Sequence, residues 1–174
     1  MKKRIFDLTF SSVAFILFLP IMLIVYVAIR VSMGKGVIFF QARPGLQGKI
    51  FKMYKFRTMI PDDPNSNKSD DERITKLGKW LRASSLDELP ELFNVIKGDM
   101  SLVGPRPLLV DYLKKYTPIE MRRHEALPGI SGLAQVRGRN NLSWRNKFKY
   151  DVFYVDHQNF FFDMQILFET VIVV

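Results

Sequence analysis

At 174 residues the chain has the size of one domain with a real core. Hydrophobic residues make up 48%, yet Lys and Arg outnumber Asp and Glu by 26 to 17, and the net charge of +9 favours anionic partners: membrane lipid, nucleic acid or phosphorylated substrates. There is no Cys, which excludes disulfides, thiolate chemistry and cysteine zinc sites, and the two histidines, His124 and His157, lie too far apart in sequence to suggest a metal site.

The chain opens on Met1-Lys2-Lys3-Arg4 and then runs apolar from 13 to 29. No small-residue cleavage site precedes Arg30, so the stretch is expected to stay on the protein. It is at the short limit for a spanning helix, and Pro20 in its middle removes one hydrogen bond and pushes on the carbonyl of Ile16, which predicts a bend. Lys2, Lys3 and Arg4 before it and Arg30 and Lys35 after it leave neither flank as the outside. A re-entrant helix, bent at Pro20 and returning to the same face, satisfies both; the alternative is a tilted spanning helix whose proline is absorbed by neighbours.

Residues 37–41 and 49–59 read as a strand pair around Arg43-Pro44-Gly45, with Lys49, Lys52, Lys55 and Arg57 forming either a phosphate site or a solvated basic edge. Residues 61–72 are polar and acidic, the pattern of a mobile loop. Ile74, Leu77 and Leu81 mark a short helix carrying Lys76, Lys79 and Arg82. Next comes Ser84-Ser85-Leu86-Asp87-Glu88-Leu89-Pro90-Glu91-Leu92, where Ser85 and Glu88 have capping-box spacing and Leu89, Leu92, Phe93 and Ile96 recur helically up to Gly98. Asp87 and Glu88 are thereby expected in a first helical turn, where the helix dipole favours ionised carboxylates and nearby phosphate. An ionised Asp there is a candidate nucleophile or metal ligand; good first-turn residues with no chemistry give the same pattern.

Beyond Gly98, Pro105 and Pro107 hold Arg106 in stiff backbone, which suits a guanidinium that grips phosphate and equally a plain connector. Residues 108–116 and 120–126 read as short helices, and 127–141 as a glycine-punctuated loop unlike the Walker or Rossmann patterns. Ser143 is expected to cap a helix over 144–155 with Trp144, Phe148, Val152 and Val155 inward and Asp151 on a neighbouring face. The apolar run from Phe160 to Phe168, which keeps Asp163 and Gln165, reads as an interfacial helix. The whole reads as α+β and mostly α-helical, with residues 1–34 as a re-entrant membrane helix and 35–174 as one small cytoplasmic-face globular domain with interfacial amphipathic helices and a short β-hairpin.

Lys3-Arg4-Ile5-Phe6-Asp7, Gln41-Ala42-Arg43-Pro44-Gly45, Tyr54-Lys55-Phe56-Arg57-Thr58-Met59, Ser85-Leu86-Asp87-Glu88-Leu89, Lys97-Gly98-Asp99-Met100-Ser101, Gly104-Pro105-Arg106-Pro107 and Pro128-Gly129-Ile130-Ser131-Gly132 together resemble, in order, the small monotopic phosphoglycosyl transferases of bacteria, nearest in appearance to their PglC branch. The resemblance covers essentially the whole chain. It implies transfer of a sugar 1-phosphate from a UDP-sugar, here an N-acetylated or diacetamido sugar, to undecaprenyl phosphate at the cytoplasmic face of the bacterial inner membrane, with release of UMP. By this resemblance Asp87 is the nucleophile that carries the phosphosugar, and Glu88 its partner in magnesium binding. Arg82 and Arg106 contact phosphate, and Lys55, Asp151 and Asp163 are further polar positions near the site. Anionic phospholipid and downstream glycosyltransferases are the implied partners. A carboxylate nucleophile splits a transfer between two anions into two steps, and Mg²⁺ with arginines reduces their repulsion.

Three departures from the family stand out: Leu19 replaces the serine before Pro20, Arg137 replaces an asparagine and could alter recognition of sugar or nucleotide, and the usual polar tail after Val171-Ile172-Val173-Val174 is missing. A conventional glycosyltransferase is disfavoured because no Asp-x-Asp pair occurs. A basic membrane-anchored adaptor without catalysis would explain charge and apolar start but not Asp87 and Glu88 beside stiffly held arginines. Nucleic-acid binding has only the charge in its favour.

Overall fold

The computed structural model describes residues 2–61, 69–138 and 141–173. Much of the expected 61–72 loop, and Arg139 and Asn140 of the glycine-punctuated loop, therefore lie outside the described residues.

Helix α1, Lys2–Met33, runs through Pro20 as a single element. At 1.5 Å per residue it is about 48 Å long, against roughly 30 Å for the hydrocarbon core of a bilayer. It is the one helix among the described residues long and apolar enough to cross a membrane. Its residues divide into a stripe and a remainder. Arg4, Asp7, Ser11, Ala14, Phe18, Met22, Val25, Ile29 and Met33 recur at steps of three and four and are buried or half-buried, whereas Val13, Ile16, Leu17, Leu19, Leu23, Ile24 and Val31 are more than half exposed. The stripe is polar at its start and apolar at its end. Asp7 accepts bonds from Ser101 Oγ (2.8 Å) and Leu102 N (3.2 Å). Arg4 donates to the carbonyls of Val95 (2.5 Å) and Ile96 (2.7 Å). Val25 and Ile29 pack with Val37, Phe56 and Leu81. Both ends of α1 thus sit on the same domain.

After α1 the expected strand pair forms as β1, Ile38–Pro44, and β2, Ile50–Phe56, antiparallel with Ile38 opposite Phe56 and Pro44 opposite Ile50. A 3₁₀ turn at Leu46–Gly48 joins them. One helical turn, α2 (Asp70–Arg73), and the expected α3 (Lys76–Ala83) follow. The dyad segment differs from expectation. Asp87 and Glu88 lie in a separate 3₁₀ turn, Leu86–Glu88, and α4 begins only at Glu91 and runs to Lys97. Ser85 takes a left-handed conformation (φ 55°) and its side chain caps nothing, so the capping box is not made. A proline at 90, as N-cap of α4, separates the two pieces. Gly98 ends α4 in the left-handed region (φ 92°), as its position predicts.

Strands β3 (Ser101–Val103) and β4 (Gly129–Ser131) pair in parallel. Between them the 108–116 helix is reduced to a 3₁₀ stretch, Val110–Lys114, and the charged helix to α5 (Pro118–Met121) with a 3₁₀ turn at Arg122–Glu125. Helix α6 (Leu133–Val136), α7 (Trp144–His157) and α8 (Phe160–Val173) complete the order. Ser143 caps α7 as expected, its side chain accepting from Asn146 N. Trp144 is not inward but 46% exposed, while Asp151 is buried. Beyond the cluster at the end of α1, the core has a patch under α4 (Met53, Val95, Met100) and a larger one joining β3, α7 and α8 around Val103, Tyr154, Val155 and Ile166.

One glycine decides where α3 lies. A Cβ on Gly78 would stand 1.9 Å from the Thr58 carbonyl oxygen, so only a bare Cα lets the helix touch the chain leaving β2. One turn later Arg82 donates to Thr58 Oγ1 at 3.0 Å. Alanine would raise helix propensity by about 1 kcal/mol, but overpacking against backbone costs about 1–3 kcal/mol or more. Gly78→Ala is therefore expected to lower the thermal midpoint of the detergent-purified protein. An unchanged or higher midpoint would refute this packing argument.

Candidate active site

The site is assembled from β2, the 3₁₀ turn, α4 and the stiff loop at 105–107. Asn94, fully buried in α4, accepts from Tyr54 N (3.0 Å) and donates to the Lys52 carbonyl (2.7 Å), which fixes α4 against β2. One turn earlier, Glu91 then falls beside Lys55. Lys55 Nζ is 2.7 Å from Glu88 Oε1 and 3.1 Å from Glu91 Oε1, the second an ion pair without hydrogen-bond geometry. Arg106 meets Glu88 from the other side with both terminal nitrogens. Its backbone is held in turn: Arg123 donates to the Arg106 carbonyl (2.7 Å) and pairs with Asp151 Oδ2 at 2.7 Å. Arg123 and Asp151 are both almost fully buried, so the Arg106 loop is tied to α7 through an ion pair out of water.

These contacts separate three carboxylates that are near neighbours in sequence. Burial alone would raise Glu88, but the charge and hydrogen bonds of Arg106, then those of Lys55, hold it down at about 2. For Glu91 burial wins over the pull of Lys55, and its pKa rises to about 7. Asp87 is raised by burial, with Lys55 opposing. Its carboxylate accepts no hydrogen bond among the described residues, although it is only 7% exposed. Glu88 is thus locked as an anion by two cations, and Asp87 keeps its lone pairs uncommitted beside it.

Against this site lies a cavity of ≈ 630 Å³ whose lining includes Arg82, Glu88, Arg106, Arg123, Lys147 and Asp151. Four cations meet two carboxylates there. Arg106 and Arg123 are the ones with carboxylate partners, while Arg82 and Lys147 form no ion pair among the described residues, which leaves positive charge for an anionic ligand. A second part of the lining is apolar and comes from α1 and α8: Ala14, Phe18 and Val173.

Of the residues singled out in sequence, Arg82, Glu88, Arg106 and Asp151 border this cavity; Asp87 and Lys55 are not in its lining but are joined to Glu88, Asp87 as its neighbour in the 3₁₀ turn and Lys55 as its ion-pair partner. Asp163 is elsewhere. Buried in α8, it accepts from Lys3 Nζ (2.5 Å) and Tyr154 Oη (2.6 Å) and so ties α8 to α1 and α7. Arg137 is exposed and pairs with Glu169 of α8 at 3.2 Å; neither is in the cavity lining, although their neighbours Val136 and Thr170 are. Pro20 is exposed on α1. Glu91 and Arg123 were missed. Glu91 follows the dyad and reads as a first-turn helix residue, and Arg123 meets a partner 28 residues away, a pairing with no local signal.

A family model described as bacterial sugar transferase matches residues 1–174. The chain is 52% identical to an uncharacterized sugar transferase, EpsL, of Bacillus subtilis, over 97% of this chain and 85% of that protein. It is 40% identical to a UDP-glucose:undecaprenyl-phosphate glucose-1-phosphate transferase of Klebsiella pneumoniae, over 97% of this chain but 39% of that protein. It is 38% identical to an undecaprenyl-phosphate galactose phosphotransferase of Salmonella typhimurium, over 99% and 40% respectively. The chain thus spans most of the first relative and well under half of the other two.

The raised pKa of Glu91 carries a sign that can be measured. The folded protein holds this proton up to about pH 7, whereas the unfolded chain releases it near the ordinary glutamate value. Its stabilising contribution is therefore complete below about pH 4.5 and lost as pH rises through about 7, by up to roughly 3 kcal/mol. Glu91→Gln is expected to shrink the drop in thermal midpoint between pH 5.5 and pH 8. An unaltered drop would mean that Glu91 does not titrate there.

Proposed function

Because the chain belongs to the bacterial sugar transferase family, we propose that it moves a sugar 1-phosphate from a UDP-sugar to undecaprenyl phosphate through a covalent intermediate on Asp87. UMP leaves in the first step, and the lipid-linked sugar diphosphate is the product, available to downstream glycosyltransferases. The observation that carries this reading is the asymmetry of the dyad. Glu88 is bound by Lys55 and Arg106, and Asp87 next to it is desolvated and free of hydrogen bonds, the state a carboxylate nucleophile requires.

In the first step an Asp87 oxygen attacks the sugar-bearing phosphorus, an Asp–O–P bond forms, and the bond from that phosphorus to the bridging oxygen breaks with its electrons leaving on UMP. In the second, a phosphate oxygen of the lipid attacks the same phosphorus and the Asp–O–P bond breaks, restoring Asp87. No net proton is needed. Arg82, Lys147 and Arg106 oppose the charge that gathers on the phosphate oxygens. The apolar lining from Ala14, Phe18 and Val173 favours a lipid acceptor reaching the same cavity.

Mg²⁺ belongs to the proposal as well. No group of three His, Asp or Glu residues forms a metal cage among the described residues, but Mg²⁺ is ordinarily held by one or two carboxylates with substrate phosphates and water completing its shell. Asp87 and Glu88, neighbours in the 3₁₀ turn, are the carboxylates that would hold it, Glu88 giving up a contact with Lys55 or Arg106 to do so. Bound there, the ion would neutralise charge on the diphosphate.

The proposed setting is the cytoplasmic face of the inner membrane, with α1 embedded but not spanning. Support comes from the stripe on α1: Arg4 and Asp7 at one end and Ile29 at the other contact the same domain, while the apolar remainder faces away. The +9 charge suits anionic phospholipid. As to the sugar, relatives are named for glucose and galactose, so both stand beside the N-acetylated and diacetamido sugars as candidate donors.

The decisive assay offers a panel of these UDP-sugars with undecaprenyl phosphate and scores UMP. Asp87→Asn should abolish turnover with the fold intact, and a phosphosugar adduct should be trapped on Asp87 of the native chain. Full activity in Asp87→Asn would sink the assignment, and the absence of UMP with every donor would favour a non-catalytic adaptor. Arg106→Ala should weaken substrate handling by roughly 1.5–3 kcal/mol in kcat/KM, and excess EDTA should suppress the reaction if Mg²⁺ is required. For topology, single cysteines near Lys2 and near Lys35 should both resist labelling from outside intact spheroplasts. Labelling at residue 2 alone would mean a spanning helix, the state towards which Pro20→Ala is expected to shift the chain.

A further inference from the structure

Helix α7 presents an aromatic feature to the cavity that neither the dyad nor the phosphate-binding cations require. Trp144, Lys147 and Asp151, at helical steps of three and four, all border it. Asp151 is buried on Arg123 at the inner end, and Trp144 is exposed at the first residue of the helix. Seven residues of helix separate them, about 10 Å of rise, comparable to the reach of an extended nucleoside diphosphate from base to terminal phosphate.

The indole is braced rather than loose. Tyr112, from the 3₁₀ stretch, lies 5.1 Å away at 32° between ring planes, and Phe148, one turn along α7, lies 5.8 Å away at 32°. Tyr116 packs edge-on against Phe148 at 5.3 Å. Lys147 holds its ammonium over the indole, 4.9 Å from the centroid, so positive charge lies against the ring on the cavity wall. A membrane-interface tryptophan needs neither a ring braced from a second element nor a place on the wall of a charged cavity.

We infer that Trp144, backed by Tyr112 and Phe148, is the stacking platform for the nucleobase of the donor, with Lys147 at the start of its phosphates. This rests on the donor reading above. A stacked π-face tolerates any base, so the platform serves affinity for a nucleotide and does not choose uracil.

The chain has two tryptophans, Trp80 and Trp144. Trp80 is exposed on α3 and touches none of this machinery, so Trp80→Phe leaves Trp144 as the sole indole reporter in an active protein. UMP should change its emission saturably in detergent micelles, CMP should do the same, and ribose 5-phosphate at equal concentration should not. In the native background Trp144→Leu should raise KM for the UDP-sugar by roughly five- to a hundredfold with kcat within about twofold, the pattern of lost uniform binding, and Trp144→Phe should recover most of the loss. The inference is overturned if UMP leaves the emission unchanged, if ribose 5-phosphate acts as strongly as UMP, or if only lipid vesicles alter the emission, which would make Trp144 a membrane anchor. An unchanged KM in Trp144→Leu overturns it too, while leaving the transferase reading intact. Failure of the native chain to release UMP would instead remove that reading, and the emission titration would still decide whether Trp144 holds a nucleotide.

Discussion

A single ammonium group holds the site together. Lys55 on β2 stands between Glu88 in the 3₁₀ turn and Glu91 at the start of α4, and Arg106 closes on Glu88 from the far side. Three stretches of backbone far apart in sequence, at residues 55, 88–91 and 106, are thereby fixed about one charge cluster largely removed from water. Such clusters contribute little net stability, since desolvation offsets much of the attraction, but losing one member leaves the others uncompensated at a cost of about 3–5 kcal/mol. The arrangement is consequently far more sensitive to the loss of a charge than to the loss of a methyl group. It also divides labour: Glu88 is held as an anion, Glu91 holds a proton near neutrality, and Asp87 accepts no hydrogen bond among the described residues.

The long apolar helix α1 is part of this arrangement and not an appendage. Arg4 places a positive group on the last carbonyls of α4, where the helix dipole favours it, and so steadies the helix that begins with Glu91. Ala14 and Phe18 line the cavity itself. Removing α1 would uncover Val37, Phe56 and Leu81 and open one side of the site. One apolar helix thereby borders the cavity and also steadies the element that carries Glu91.

Local patterns in the sequence were faithful wherever the determining contacts are local. The hairpin, the Gly98 stop, the Ser143 cap and α3 follow from turn chemistry and periodicity within a dozen residues. The Asp87–Glu88 pair is legible in the sequence but its local structure is not, because Pro90 and a left-handed Ser85 break what periodicity presents as one helix into a 3₁₀ turn and α4. Arg82, Glu88, Arg106 and Asp151 do converge on one cavity. Arg137 and Asp163 resemble them in residue type, yet their partners are Glu169 and Lys3, respectively 32 and 160 residues away. Burial of Trp144 was wrongly expected from its place in an apolar stripe, since a stripe does not say where the covering element ends.

The bond between Asp7 and Ser101 spans 94 residues. A ribosome adding about 5–20 residues each second delivers that serine roughly 5–20 seconds after the aspartate. For that interval the residues of α1 are already made, while the side chains of Arg4 and Asp7 have none of their later partners. Were α1 to meet a bilayer in that interval, carrying an unpaired aspartate to its middle would cost about 3 kcal/mol, which favours keeping the leading end on the side where the rest of the chain is still emerging. The same polar residues that later fasten the helix to its domain thus act earlier as ballast, biasing orientation before there is any domain to fasten to.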